Sequence, residues 1–144
     1  MQQPFRYITA TIIMKLVYLP SLIILLLFSA ASSVDPIDNV AALIRQGNMQ
    51  EMAKLLAPTV EITIAGQEDT YSKRQATDVL TQFFTQHKPK GVKLLHKVNS
   101  NQKFLFGVVI LSSTGGSYRI AYTLNETDGA MKIIELRIEP EKTK

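Results

Sequence analysis

The 144 residues carry 16 basic and 12 acidic side chains, a formal net charge of +4, and no cysteine. The lack of thiols excludes disulfides, thiolate metal sites and a lipid anchor on an N-terminal cysteine. Lys and Arg are scattered, which argues against nucleic acid, because its phosphates demand a concentrated basic footprint.

Leu16 to Phe28 (LVYLPSLIILLLF) is uncharged and almost wholly apolar; Arg6 and Lys15 precede it, and the small residues Ser29 to Ser33 follow. A basic start, a short apolar run and a small-residue exit predict a signal peptide over residues 1–31, cleaved after Ala31 or after Ser33. Met14-Lys15 would make an ordinary start, so the true start is Met1 or Met14, with residues 1–13 an upstream extension in the second case. The alternative is an uncleaved N-terminal anchor helix, but the run is shorter than the roughly 20 apolar residues a bilayer core requires and contains Pro20. The expectation is export to the periplasm or beyond, with membrane contact only through the leader. Residues 32–144 contain no repeat or linker and are long enough for one core.

In chain order, Asp35 caps a first helix with Pro36 at its tolerated first position. Ile37, Val40, Ala41 and Ile44 form its apolar stripe, and Gly47 stops it. Asn48, with Glu51 three residues on, caps a second helix predicted over Met49 to Ala57 and halted by Pro58. The pair reads as a helical hairpin. Val60 to Ile64 alternates as a half-buried strand. Ala65 to Thr70 reads as a turn, with a very short strand from Tyr71. Ser72 and Gln75 make a capping box for a third helix, whose stripe is Ala76, Val79, Leu80, Phe83 and Phe84, ending before Pro89.

Four strands follow. Their expected inward sets are Val92/Leu94/His96/Val98, Phe104/Phe106/Val108/Ile110, Tyr118/Ile120/Tyr122/Leu124 and Ile134/Leu136/Ile138, separated by turns at Asn99–Asn101, Thr114–Gly116 and Thr127–Gly129. Phe104 to Leu111 is apolar on both faces, which fits a central strand.

This order of elements resembles the nuclear transport factor 2-like superfamily, an α+β cone in which a strongly curved, mostly antiparallel sheet wraps a helical hairpin and one long helix. Asp35-Pro36-Ile37, Ala57-Pro58-Thr59-Val60-Glu61, Asp69-Thr70-Tyr71-Ser72-Lys73, Leu94-Leu95-His96-Lys97 and Ile134-Glu135-Leu136-Arg137-Ile138 are similar to a group of small exported Bacteroidota proteins of unknown function. The resemblance implies a fold over nearly all of residues 32–144 and no particular chemistry. Ketosteroid-isomerase-type members use a pocket carboxylate facing a tyrosine and a protonated acid. No motif here matches that set, and the expected inward faces hold no carboxylate.

The residues singled out as ligand-binding are His96, Tyr118, Tyr122, Tyr71 and Phe83. An imidazole among apolar residues can shuttle a proton or orient a ligand, and two tyrosines on one strand face can offer hydroxyls in an apolar pocket. Each also has a plainer role: a strand-end histidine bonded to backbone, core tyrosines with hydroxyls at the rim, and a Tyr71 that staples a helix cap. No catalytic residue, cofactor or metal is expected, since His87 and His96 are the only histidines and no carboxylate pairs with them at ligand spacing. Lys88, Lys90, Lys93, Lys97 and Lys103 form a modest basic patch, read as a solvated face that resists edge pairing, with docking to an acidic partner or an anionic envelope surface as the alternative. The leading functional expectation is a noncatalytic envelope module binding a small apolar ligand or a protein partner, with homodimerisation through the outer sheet face compatible with it. The alternative is a small isomerase, dehydratase or cyclase acting through His96 and Tyr122.

Overall fold

The computed structural model describes residues 34–101 and 103–142; the predicted signal peptide lies outside them. Three helices, α1 (Pro36–Gln46), α2 (Met49–Leu55) and α3 (Lys73–Gln86), pack on one face of a six-stranded curved sheet. The strands are β1 (Leu56–Ile64), β2 (Gln67–Ser72), β3 (Pro89–Asn101), β4 (Phe104–Ser113), β5 (Gly116–Thr127) and β6 (Ala130–Pro140). They lie in the order β2-β1-β6-β5-β4-β3, antiparallel except for β1 against β6. Among the described residues no helix is long and apolar enough to cross a membrane.

The helix caps form as the sequence requires. Asp35 accepts from the Ile37 amide at 2.9 Å, and Gly47 closes α1 in the left-handed region at φ 63°. Asn48 accepts from the Glu51 amide. Ser72 and Gln75 satisfy each other's backbone amides in a full capping box.

Two boundaries differ from expectation. α2 ends at Leu55 rather than Ala57, because the residue before a proline is pushed out of helical space and Pro58 acts back on Ala57. Leu56 is already extended, and Pro58 sits where the β1–β6 register slips, so its missing amide breaks no ladder bond. The turn before α3 is only Ala65-Gly66, at φ 50° and 81°; this is a tight hairpin that lets β2 run from Gln67 to Ser72.

Cross-strand partners share a face, so the pairing register decides which side chains point inward. On β5 the expected set is right: Ile120, Tyr122 and Leu124 are buried beneath the helices, with Tyr118 half-buried beside them. On β6, Leu136 and Ile138 are inside while Glu135 and Arg137 lie on the outer face. A bulge at Ile134 makes Ile133 the buried residue in its place.

The expected phase of β4 is inverted. Leu105, Gly107, Val109 and Leu111 pair with the inward residues of β5, so Phe104, Phe106, Val108 and Ile110 form the outer face. Both phases of this strand are apolar, and alternation alone could not choose between them.

His96 is likewise corrected. A bulge between Leu94 and His96 reverses β3, leaving half-buried Val92 and the still exposed Leu94 on the inner side but sending His96 and Val98 to the outer one, opposite Val108 and Phe106. Lys97 is turned to the inner side instead, where its ammonium meets Asp35 at 2.8 Å and Asp38 at 2.9 Å on α1. The expected basic patch is thereby divided. The Lys97 hydrogen bond holds the Asp35 carboxyl below its ordinary value of 3.8, against the opposing effect of burial. The bonds to Asp35 and then Asp38 raise Lys97 above 10.5. Asp35 therefore contributes stability above pH 3.8 that is lost as pH falls through its lowered native value. Lys97 contributes below pH 10.5, and its share is lost as pH rises through the raised value. In a Lys97→Gln variant, thermal melts across pH are expected to show flatter acid and alkaline limbs.

The interior is filled. Tyr122 is 0% exposed, and its hydroxyl donates to the Ile37 carbonyl at 2.9 Å, tying β5 to the first turn of α1. Burial raises the Tyr122 phenol far above its ordinary value, with the negative charges of Asp38 and Asp35 adding to the effect. It therefore stays protonated and remains a donor.

Candidate functional site

The Tyr122 ring fits because its cross-strand partner is Gly107. A Cβ at Gly107 would stand 2.6 Å from the ring carbons. With that volume taken, one remaining open space lies at the mouth of the cone, where the C-terminal half of α3 meets the ends of β1, β5 and β6.

Helix α3 stops at Gln86 because Lys88 precedes Pro89 and is driven out of helical space. His87 caps the helix, its amide still donating to the Phe83 carbonyl. The chain beyond is pinned to the β4–β5 turn: the Thr114 amide donates to the Lys88 carbonyl, and the Lys88 amide to Thr114 Oγ1. Ser113 Oγ fixes the turn itself, donating to the Gly116 carbonyl at 2.8 Å and accepting from the Gly115 amide. The imidazole then lies over Gly115, where an added Cβ would fall 2.1 Å from Nδ1.

His87 Nδ1 is 3.1 Å from the Tyr118 hydroxyl. Their rings lie 4.8 Å apart, and Phe83 completes a three-ring cluster, 4.6 Å from His87 and edge-on to Tyr118 at 5.1 Å. Tyr118 has one proton and two acceptors in reach, His87 Nδ1 and the Gly115 carbonyl at 3.4 Å. If the proton goes to Nδ1, Nε2 carries hydrogen and is a donor; if it goes to Gly115, Nδ1 is protonated and Nε2 is an acceptor. The pair can therefore present either polarity at Nε2, which has no protein partner among the described residues.

A groove of about 320 Å³ opens beside this cluster, walled by Ile64, Ala65, Val79, Phe83, Tyr118 and Pro140, with Gln82, Gln86 and His87 as its polar groups. A hollow of about 380 Å³ adjoins it across Ile64 and Ala65 and is bordered by Tyr71. Of the residues singled out from sequence, Phe83 and Tyr118 meet in the groove and Tyr71 lines the neighbouring hollow. Tyr122 is the buried plug, and His96 stands exposed on the far face of the sheet. His96 and Tyr122 are thus not brought together. His87 was missed. Its signal was the four-residue spacing from Phe83 on one helix face, opposite a Gly-Gly turn able to receive a ring.

Among the described residues no group of His, Asp and Glu side chains could hold a metal ion. Among curated protein sequences none matches this chain. The structure is similar to that of a DUF4783 family protein from Bacteroides uniformis, with TM-score 0.72 and 23% identity over 76% of this chain and 100% of that one. A Bacteroides ovatus member gives TM-score 0.70 and 22% identity over 78% and 100%. A nuclear transport factor 2-like protein from Cytophaga hutchinsonii gives 0.54 and 12% over 71% and 89%. The profile of one family, described as a domain of unknown function, matches residues 37–139. The chain belongs to that family, DUF4783, and carries a nuclear transport factor 2-like fold.

Proposed function

We propose that this protein is a noncatalytic module of the cell envelope that holds a small, uncharged, largely apolar ligand at the mouth of its cone. The observation that carries the reading is the groove itself. Aromatic and aliphatic walls surround one imidazole–phenol pair and two amides, with no carboxylate among the lining residues. Its volume is at the lower end of small-molecule sites, which suits a single ring system with one hydrogen-bonding group. The filled interior supports binding over acid–base turnover, since Tyr122 is committed to Ile37 and is held protonated. The exported location rests on the leader reading of residues 1–31.

Titration of labelled protein with indole, phenol and benzamide is the test. The expected result is saturable shifts at Phe83, His87 and Tyr118 with at least one probe, weakened about tenfold by Phe83→Ala. Shifts confined to other surfaces, or none with any probe, would contradict the assignment.

A second reading, docking of a protein partner or a second copy on the outer sheet face, is favoured by one observation. Phe104 (39% exposed) and Val98 (46% exposed) border the half-buried Phe106 and Ile110 in an unpartnered apolar strip across β3 and β4. Light scattering at high concentration is expected to give the dimer mass, and Val98→Lys with Phe104→Lys the monomer mass. A monomeric wild type would remove the second copy as the occupant.

A further inference from the structure

On the side of α3 away from the mouth groove, the helix faces the elbow between α1 and α2 across a cleft of about 650 Å³. We propose that this cleft is a second binding site and that it takes an acidic carbohydrate.

The elbow is built by Gly47 in a left-handed turn, placed so that an added Cβ would meet the Pro89 ring at 3.5 Å. Phe84, Met49 and Pro89 line the cleft as apolar groups, and its other lining side chains are amides, hydroxyls and one ammonium. Several of these groups are held by the protein in fixed orientations. Thr77 and Thr85, two turns apart on α3, donate their hydroxyl protons to the carbonyls of Lys73 and Thr81, at 2.8 and 2.7 Å. Each spent hydroxyl leaves its oxygen as an acceptor only. Asn48 uses its carbonyl oxygen on the Glu51 amide, which leaves its NH₂ to donate. Gln46 and Gln50 add groups that do both.

Lys88 is the only charged residue in the lining, and it has no carboxylate partner among the described residues. Its backbone is clamped on both sides by Thr114, so the side chain projects from a fixed point.

A ligand matching this wall must supply several hydroxyl donors and acceptors, an apolar C–H face for the Phe84 and Pro89 end, and a negative charge for Lys88. A sugar acid has all three. An extended peptide is a poorer match, because the one strand residue in the lining is Pro89 at the start of edge strand β3, which has no amide to offer a pairing strand, and the backbone bonds of the bordering helices are internal.

Labelled full-length protein titrated with tetragalacturonate is expected to shift the amides of Gln46 to Gln50 and Thr77 to Thr85. Neutral maltotetraose should bind the same amides about tenfold more weakly, since it lacks the charge-assisted bond to Lys88. Lys88→Gln should erase that gap. Thr81→Glu, at an exposed helix position, should abolish tetragalacturonate binding without unfolding the chain. A tenfold gap surviving in Lys88→Gln would overturn the proposal, as would shifts that avoid these amides. So would a hexaglutamate peptide that moves the same amides with equal affinity, because the cleft would then be responding to charge alone.

Discussion

Gly107→Ala is expected to cost about 3 kcal/mol of folding stability, the upper part of the range for overpacking a tight core. The added methyl would stand 2.6 Å from two ring carbons of Tyr122 and 2.8 Å from its hydroxyl oxygen. The ring cannot swing aside, because it is fully buried and bonded to the Ile37 carbonyl. A chain of this size should lose roughly 10–20 °C of melting temperature. Coupling identifies the cause: in a Gly107→Ala/Tyr122→Leu double variant the two costs should add to much less than their sum. If Gly107→Ala melts within a degree or two of wild type, Tyr122 does not plug the interior.

Gly115→Ala should act on binding instead of folding. Gly115 is exposed and its φ is not in the left-handed region, so alanine brings no backbone strain. Its methyl would occupy the position now filled by the Nδ1 edge of His87, forcing the imidazole to swing away. The hydrogen bond to Tyr118 would break and the wall of the groove would change shape. Probe affinity at the mouth should fall at least tenfold, while the melting temperature changes by only a few degrees, because the displaced ring is partly exposed at a helix end. Tyr118→Phe provides the comparison: it removes the same hydrogen bond and leaves the three rings in contact, so its loss should be smaller. Equal affinity in Gly115→Ala and wild type would remove His87 from the site.

The element order was legible in the sequence because the signals were chemical and local. Asp35, Gly47, Asn48 and the Ser72–Gln75 pair each specify a helix end through one or two backbone bonds, and each forms. The alternation of β5 and most of β6 was legible because polar residues mark one face: Arg119 and Thr123 on the former, Glu135 and Arg137 on the latter.

Strand β4 offers no such contrast, and its phase is set by the Gly107–Tyr122 pairing, a contact between residues of different strands. On β3 a single bulge exchanged the roles of His96 and Lys97. What fixes Lys97 inward is the pair of carboxylates on α1, about sixty residues earlier in the chain, which no local pattern reveals. The candidate site was half legible. Phe83 and Tyr118 are marked by their type and face, but His87 joins them only because the β4–β5 turn is clamped against the end of α3.

The most direct test of the mouth groove is a crystal soaked with 4-bromophenol, whose bromine can be located by its anomalous signal. The ring should lie against Phe83 and Tyr118 within about 4 Å, with its hydroxyl bonded to His87 or Gln86. Bromine found only on the outer sheet face beside Phe104 and Val98, with the groove empty, would contradict ligand binding at the mouth.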